Sequence, residues 1–110
     1  MLKCKIWLDD VRPKPEDTPG VKWIWYTTAE ALIEDLKRYY NWGPFHTCEI
    51  VEISLDNDLG EGVMEGYKVL DWLEQKMLPV TFNIHIHTSN PVARDRMRAI
   101  IQRNGWTEVK

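Results

Sequence analysis

The segment Ile53-Ser54-Leu55-Asp56-Asn57-Asp58-Leu59-Gly60 limits the fold more than any other part of the chain. It reads as a short buried strand that runs into two carboxylates and a glycine. In an open α/β sheet, ligands gather outside the carboxyl ends of the strands, so acids there mark a site as well as a turn. Asp9-Asp10 closes a second apolar run, Lys5-Ile6-Trp7-Leu8, in the same way. If the two strands are parallel neighbours, three or four carboxylates crowd one edge of the sheet. Such a cluster repels itself unless a cation or protons neutralise it.

The rest of the chain supplies the elements such a sheet needs. Lys3 to Leu8 alternates and then turns apolar, as an interior strand does. Val11 to Gly20 carries Pro13, Pro15 and Pro19 and no helical period, so it reads as a loop. Val21 to Tyr26 is a second strand. Thr27 with Glu30 forms a capping box, and Ala29, Leu32, Ile33, Leu36 and Tyr40 follow at helical spacing until Asn41-Trp42-Gly43-Pro44. Ile50 to Leu55 is the third strand. A helix is expected from about Met64 to Met77, with Gly66, Val69, Leu70, Leu73 and Met77 on one face and Pro79 ending it. Phe82 to His87 is the fourth strand. Asn90-Pro91 opens a last helix, with Asn as N-cap and Pro at the first helical position. Its buried face is Ala93, Met97, Ile100 and Ile101, Gly105 closes it, and Trp106 to Val109 supplies a short final strand.

Strands alternating with helices in this order predict an α/β three-layer sandwich on a mostly parallel five-stranded sheet, one domain over residues 1–110. The first crossover lacks a helix. An extended loop can still span a sheet at about 3.3 Å per residue, leaving part of one face for Trp23 or Trp25 to cover. An antiparallel edge strand is the competing arrangement.

A net charge of −3 argues against nonspecific binding to nucleic acid or membrane. The basic residues concentrate at the end: residues 91–110 hold five against two acids. Cys4 and Cys48 match no metal or redox spacing, so they read as two reduced thiols with no structural disulfide, in a cytoplasmic protein. No apolar run approaches the ~18 residues of a membrane span, and the N-terminus lacks a leader pattern.

Asp9, Asp10, Asp56 and Asp58 are the candidate metal ligands. Carboxylates, carbonyls and waters suit a hard divalent cation, Mg²⁺ or Mn²⁺, that keeps waters for a phosphate to share; loop-capping Asx residues are the plainer alternative. Arg12 could hold a phosphate bidentately or be an exposed loop charge. His87 could act as general acid or base, since its ordinary pKa lies near neutrality. Against that, His87 and Thr88 point to opposite faces unless the strand has already broken, and a satisfied structural histidine is the alternative. His85-x-His87 is a zinc-chelating spacing without a matching third ligand, and His46 reads as incidental. Arg94, Arg96, Arg98 and Arg103 form a mainly solvated face. The start of that helix, at Ser89 and Asn90, offers N–H groups to an anion.

Together these motifs resemble the receiver domain of bacterial response regulators. An acidic pair follows the first strand, Asp56 ends the third and opens Asp56-Asn57-Asp58-Leu59-Gly60, Glu65-Gly66 begins the next helix, and Thr88-Ser89 ends the fourth strand. More narrowly, Leu8-Asp9-Asp10-Val11-Arg12-Pro13, Ser54-Leu55-Asp56-Asn57-Asp58-Leu59 and His87-Thr88-Ser89-Asn90-Pro91 resemble the divergent cyclic-phosphate-processing receiver family. The resemblance implies a receiver or flavodoxin-like fold. It implies that Asp10 and Asp56 bind the metal, Asp9 does so directly or through water, and the Asp58 carbonyl adds a ligand. Asp56 would be phosphoryl acceptor or metal anchor, and Thr88 would bond a phosphoryl oxygen. The receiver's usual lysine after its fifth strand has only Lys110 as a counterpart, and the usual last helix is missing.

Three functions follow from this reading. The first is metal-dependent hydrolysis of cyclic or terminal phosphates on nucleotides, other small molecules or RNA ends. The second is a phosphoacceptor module that signals to a protein partner, and the third is a receiver-shaped binding domain without chemistry.

Overall fold

The computed structural model describes residues 2–42 and 48–110. The strands are β1 (Leu2–Leu8), β2 (Val21–Tyr26), β3 (Cys48–Leu55), β4 (Asn83–Ile86) and β5 (Glu108–Val109), and the helices are α1 (Ala29–Trp42), α2 (Tyr67–Gln75) and α3 (Pro91–Arg103). The sheet order is β2-β1-β3-β4-β5. Every pairing is parallel, so the edge strand β2 is not antiparallel. This is the receiver-like α/β arrangement.

Handedness decides where the helices go. The steps β2 to β3, β3 to β4 and β4 to β5 all move the same way across the sheet, so right-handed crossovers put α1, α2 and α3 on one face. Burial agrees: Ile6, Leu8, Ile53, Leu55 and Ile84 of the sheet share one core with Leu32, Leu36, Leu70, Leu73, Met97 and Ile100 of the helices. The step β1 to β2 moves the opposite way and is made by the 9–20 loop. On that face the register aligns Lys5 with Trp23, Trp7 with Trp25 and Ser54, and Ser54 with His85. Its outer layer is therefore a loop and side chains. Trp23 meets Trp7 edge to face at 5.9 Å, while Trp25 stays exposed.

Leu8 and Leu55 are fully buried and each immediately precedes an aspartate. Burying such side chains is worth about 2 kcal/mol apiece, which anchors the strand ends that carry the acids. The strand ladder also continues one residue further, with Asp56 N–H donating to the Leu8 carbonyl at 2.9 Å and Asp9 N–H to the Tyr26 carbonyl at 3.0 Å.

Several boundaries differ from the sequence reading. Thr28, not Thr27, caps α1: its Oγ1 accepts the Ala31 N–H at 3.2 Å. Gly43, Pro44 and His46 lie outside the described residues. Helix α2 starts three residues later than expected because Asn57 caps it from the preceding loop. The Asn57 carbonyl accepts Gly66 N–H at 2.9 Å, and Asn57 Oδ1 accepts Tyr67 N–H at 3.0 Å. At the other end Met77 takes φ 53°, and Leu78 N–H returns to the Leu73 carbonyl. This left-handed stop turns Met77 out to 89% exposure, so it does not belong to the buried face. The α3 expectation holds: Asn90 Oδ1 accepts Ala93 N–H, Pro91 follows, and Gly105 lies just past the end at φ 68°. Its arginines are more engaged than a solvated face requires. Arg98 binds Glu108, Arg103 binds Glu74, and Arg94 Nη2 donates to the Thr88 carbonyl at 2.5 Å.

The two cysteines, expected as separate reduced thiols, lie together at disulfide distance. Cys48 pairs in register with Leu2, and Cys4 with Ile50, which sets the cysteines diagonally on adjacent strands with Cα atoms 6.0 Å apart and the sulfurs at bonding distance. Their separation of 44 residues concealed this, because adjacency depends on strand order. Under non-reducing conditions both are expected to resist alkylation; labelling without reductant would contradict the pairing. A closed loop of this size restrains the unfolded chain by about 4 kcal/mol, so reduction is expected to lower stability by up to that amount.

Candidate functional site

The carboxyl ends of β1, β3 and β4 bring Asp9, Asp56 and His87 together. Asp9 is 1% exposed and Asp56 6%. Asp9 Oδ1 accepts the backbone N–H groups of Val11 and Arg12 at 2.9 and 2.8 Å, an Asx turn that folds the start of the 9–20 loop back over the carboxylate. Asp9 Oδ2 faces His87 Nε2 at 3.0 Å and Arg12 Nε at 3.4 Å. Asp56 Oδ1 accepts Asn57 N–H at 2.8 Å. Its Oδ2 accepts no hydrogen bond among the described residues.

Burial pushes the Asp9 carboxyl upward, but the two backbone N–H groups and His87 outweigh it and hold it below the usual carboxylate range. Burial is also the main effect on His87, lowering its imidazole below the ordinary value against the opposing pull of Asp9. At neutral pH the pair is therefore an ionised carboxylate and a neutral imidazole. That assignment fixes the adjoining protons. An acceptor-only Asp9 requires His87 Nε2 to donate, which leaves His87 Nδ1 as an acceptor. The Ser54 hydroxyl, 2.8 Å away, must donate to it, and Ser54 Oγ then accepts His85 Nδ1–H at 2.7 Å. Ser54 is wholly buried, so the chain His85–Ser54–His87–Asp9 runs inside the sheet edge.

Two tryptophans hold this chain in place. Trp7 stacks on the His87 ring at 3.9 Å and 4°, and its Nε1–H donates to the Arg12 carbonyl at 2.8 Å. Trp25 Nε1–H donates to the Asp9 carbonyl at 2.7 Å. Arg12 Nη1 reaches the His87 carbonyl at 3.2 Å with its guanidinium half exposed.

Each of Asp9, Asp56 and His87 offers a ligand atom, and these atoms lie within 4.8 Å of one another. A small divalent ion bonded at about 2.1 Å holds neighbouring ligands ~3 Å apart and opposed ones ~4.2 Å apart. The group therefore suits a metal after a shift of under about 1 Å. A family model for the cyclic-phosphate processing receiver domain matches residues 4–103. The chain belongs to that family. No curated protein and no solved structure matches it.

Within this receiver the other candidate residues stand as follows. Asp10 is exposed and its carboxylate lies outside the group of three. Asp58 is exposed, and its carboxylate accepts Asn57 Nδ2 at 3.2 Å and Asn90 Nδ2 at 3.4 Å, tying the loop after β3 to the start of α3. Thr88 is buried, with Oγ1 accepting Asn90 N–H at 3.2 Å, and Ser89 is exposed. Lys110 is exposed at the end of β5. The strand does break before Thr88: β4 ends at Ile86, and His87 keeps the face that His85 occupies. His85 engages Ser54 and is not part of the three-residue group.

Ser54, Asn57 and Trp7 have no role at the site in the sequence reading, which takes Trp25 only as a cover for the open sheet face. A signal existed for Ser54, a lone hydroxyl in an apolar strand. Its meaning appears only when parallel register sets it beside His85.

Proposed function

We propose that this chain is a metal-dependent phosphoesterase acting on cyclic or terminal phosphates of nucleotides or RNA ends. The observation that carries the reading is the convergence of two buried carboxylates, a histidine whose side chain is nearly buried and a half-exposed arginine at the carboxyl edge of a parallel sheet. Family membership supports the same substrate class.

Asp9 and Asp56 would hold a divalent cation, Mg²⁺ or Mn²⁺ on the sequence reading, with Asp10 and the Asp58 carbonyl as further ligands. When bound, the cation supplies positive charge that stabilises the developing phosphorane charge. Arg12 anchors a non-bridging phosphate oxygen with the guanidinium face that Asp9 and the His87 carbonyl leave open. The Thr88 hydroxyl, held by the Asn90 N–H, and the Ser89 N–H bind a second oxygen at the start of α3. His87 has two conceivable duties, giving a proton to the leaving alkoxide or holding the cation. Its Nε2 faces a carboxylate oxygen, and its side chain is only 7% exposed, which favours the second.

Incubation with nucleoside 2′,3′-cyclic phosphates and divalent ions is expected to give nucleoside monophosphates, with at least a 10²-fold loss in Asp56→Ala, the scale of removing one charge-stabilising group. Product formation that is absent, or unchanged in the variant, contradicts the reading. Asp56 Oδ2, which accepts no hydrogen bond among the described residues, also favours a second reading, phosphoacceptor signalling to a protein partner. A metal-dependent mass increase on Asp56 with a small phosphodonor would support that second reading, and its absence would reject it.

A further inference from the structure

We infer that His87 is a direct ligand of the bound cation and that it biases this site toward nitrogen-tolerant transition ions (Zn²⁺, Co²⁺ or Mn²⁺) over Mg²⁺. The inference deepens the cation site of the proposed function and rests on it.

Three observations carry it. First, His87 Nε2 stands 3.0 Å from Asp9 Oδ2, the separation of two adjacent ligands on one ion, and the third corner, Asp56, lies within the same 4.8 Å. Two carboxylates and one imidazole form a mixed oxygen–nitrogen set. Mg²⁺ demands oxygen and dehydrates reluctantly, whereas imidazole suits the later divalent ions. Second, the far side of the ring is already built as a metal-ligating histidine requires. Such histidines give their other N–H to a fixed partner, which orients the ring and raises its basicity. His87 Nδ1 lies 2.8 Å from the buried Ser54 Oγ, and Trp7 stacks flat on the ring. Third, Ser54 has somewhere to pass its own proton. With His87 Nε2 bonded to a metal, Nδ1 carries the hydrogen and donates to Ser54 Oγ, and the Ser54 hydroxyl turns to His85 Nδ1, 2.7 Å away. The hydrogens balance: His87 Nε2 releases one proton to solvent, and His85 Nε2 takes one up. His85 is therefore a positioning residue.

Titration calorimetry with Co²⁺ and with Mg²⁺ tests the inference on the wild-type protein, on His87→Gln and on Asp56→Asn. The wild type is expected to bind Co²⁺ more tightly than Mg²⁺. In His87→Gln that ratio is expected to fall about 10-fold or more, with Mg²⁺ affinity little changed; Asp56→Asn is expected to weaken both ions. A ratio that His87→Gln leaves unaltered overturns the inference. The imidazole ¹⁵N resonances of the wild type give a second readout that does not depend on any variant folding. On Zn²⁺ addition His87 Nε2 is expected to move to a metal-bound position while Nδ1 becomes the protonated nitrogen, and an unmoved His87 with Zn²⁺ bound elsewhere overturns the inference. Turnover is a separate outcome. Cation binding through His87 without hydrolysis rejects the esterase reading and leaves this one standing, whereas hydrolysis with an all-oxygen metal site does the reverse.

Discussion

Gly66→Ala is expected to cost at least about 3 kcal/mol of stability, more than 10 °C in melting temperature for a chain of about this size. The backbone at Gly66 is helical, at φ −63° and ψ −32°, so alanine meets no dihedral penalty there. Gly66 is the N-cap of α2, so the helix-interior preference for alanine does not apply there. Sterics decide the sign. A Cβ at this position would sit 1.8 Å from the Asp56 carbonyl oxygen and 2.9 Å from its carbon. Both are backbone, so no side chain can rotate away, and either α2 or the loop carrying Asp56 must move. The same movement breaks the Gly66 N–H bond to the Asn57 carbonyl and displaces Asp56 from Asp9. Gly62→Ala is the control: its φ of 74° costs about 1 kcal/mol, but nothing lies within 4 Å of an added Cβ. Thermal unfolding of the two variants checks this. Equal and small losses would show that the close approach is not a constraint.

The second large effect is expected at Asp56, with opposite signs for stability and function. Asp56→Asn keeps the side chain's size and removes one of two buried carboxylates whose oxygens lie within 4.8 Å. Like charges so close repel, and the nearby Arg12 offsets part of the repulsion. The metal-free variant is therefore expected to be more stable than the wild type by about 1 kcal/mol. Under the proposed function it should also lose any stabilisation that a divalent ion gives the wild type and at least 10²-fold in phosphoesterase turnover. Melting curves with and without ion, alongside product assays, test both signs. A variant that is destabilised without metal would show that the Asp9–Asp56 pair is not strained as argued.

The alternation of apolar strands with amphipathic helices made the fold legible, because each element carries its own period. The features that escaped depend on partners distant in sequence. Thr28 rather than Thr27 caps α1, a difference of one residue that two adjacent threonines cannot resolve. Helix α2 begins at Tyr67 because Asn57, ten residues earlier, supplies its cap. Cys4 and Cys48 meet only because β1 and β3 are neighbours. Of the four acids read at strand ends, Asp9 and Asp56 are buried and converge at the carboxyl edge of the sheet, while Asp10 and Asp58 are exposed. That sorting follows from the Asx turn at Asp9 and from the tie between Asp58 and Asn90. His87 joins the pocket because it keeps the face of His85 two residues earlier, its N–H still donating to the Leu55 carbonyl at 3.0 Å, and only the neighbouring strands show that this face meets Asp9.

The central claim is that Asp9, Asp56 and His87 form one metal pocket, and the indole N–H resonances test it most directly. Trp7 stacks on His87 and Trp25 donates to the Asp9 carbonyl, whereas Trp72 and Trp106 pack against the core on the helix side. Titration with a diamagnetic divalent ion is expected to shift the Trp7 and Trp25 signals saturably and to leave Trp72 and Trp106 in place, with the shifts abolished in Asp56→Asn. Signals of Trp7 and Trp25 that stay fixed at millimolar ion, or that move equally in the variant, would contradict the metal pocket.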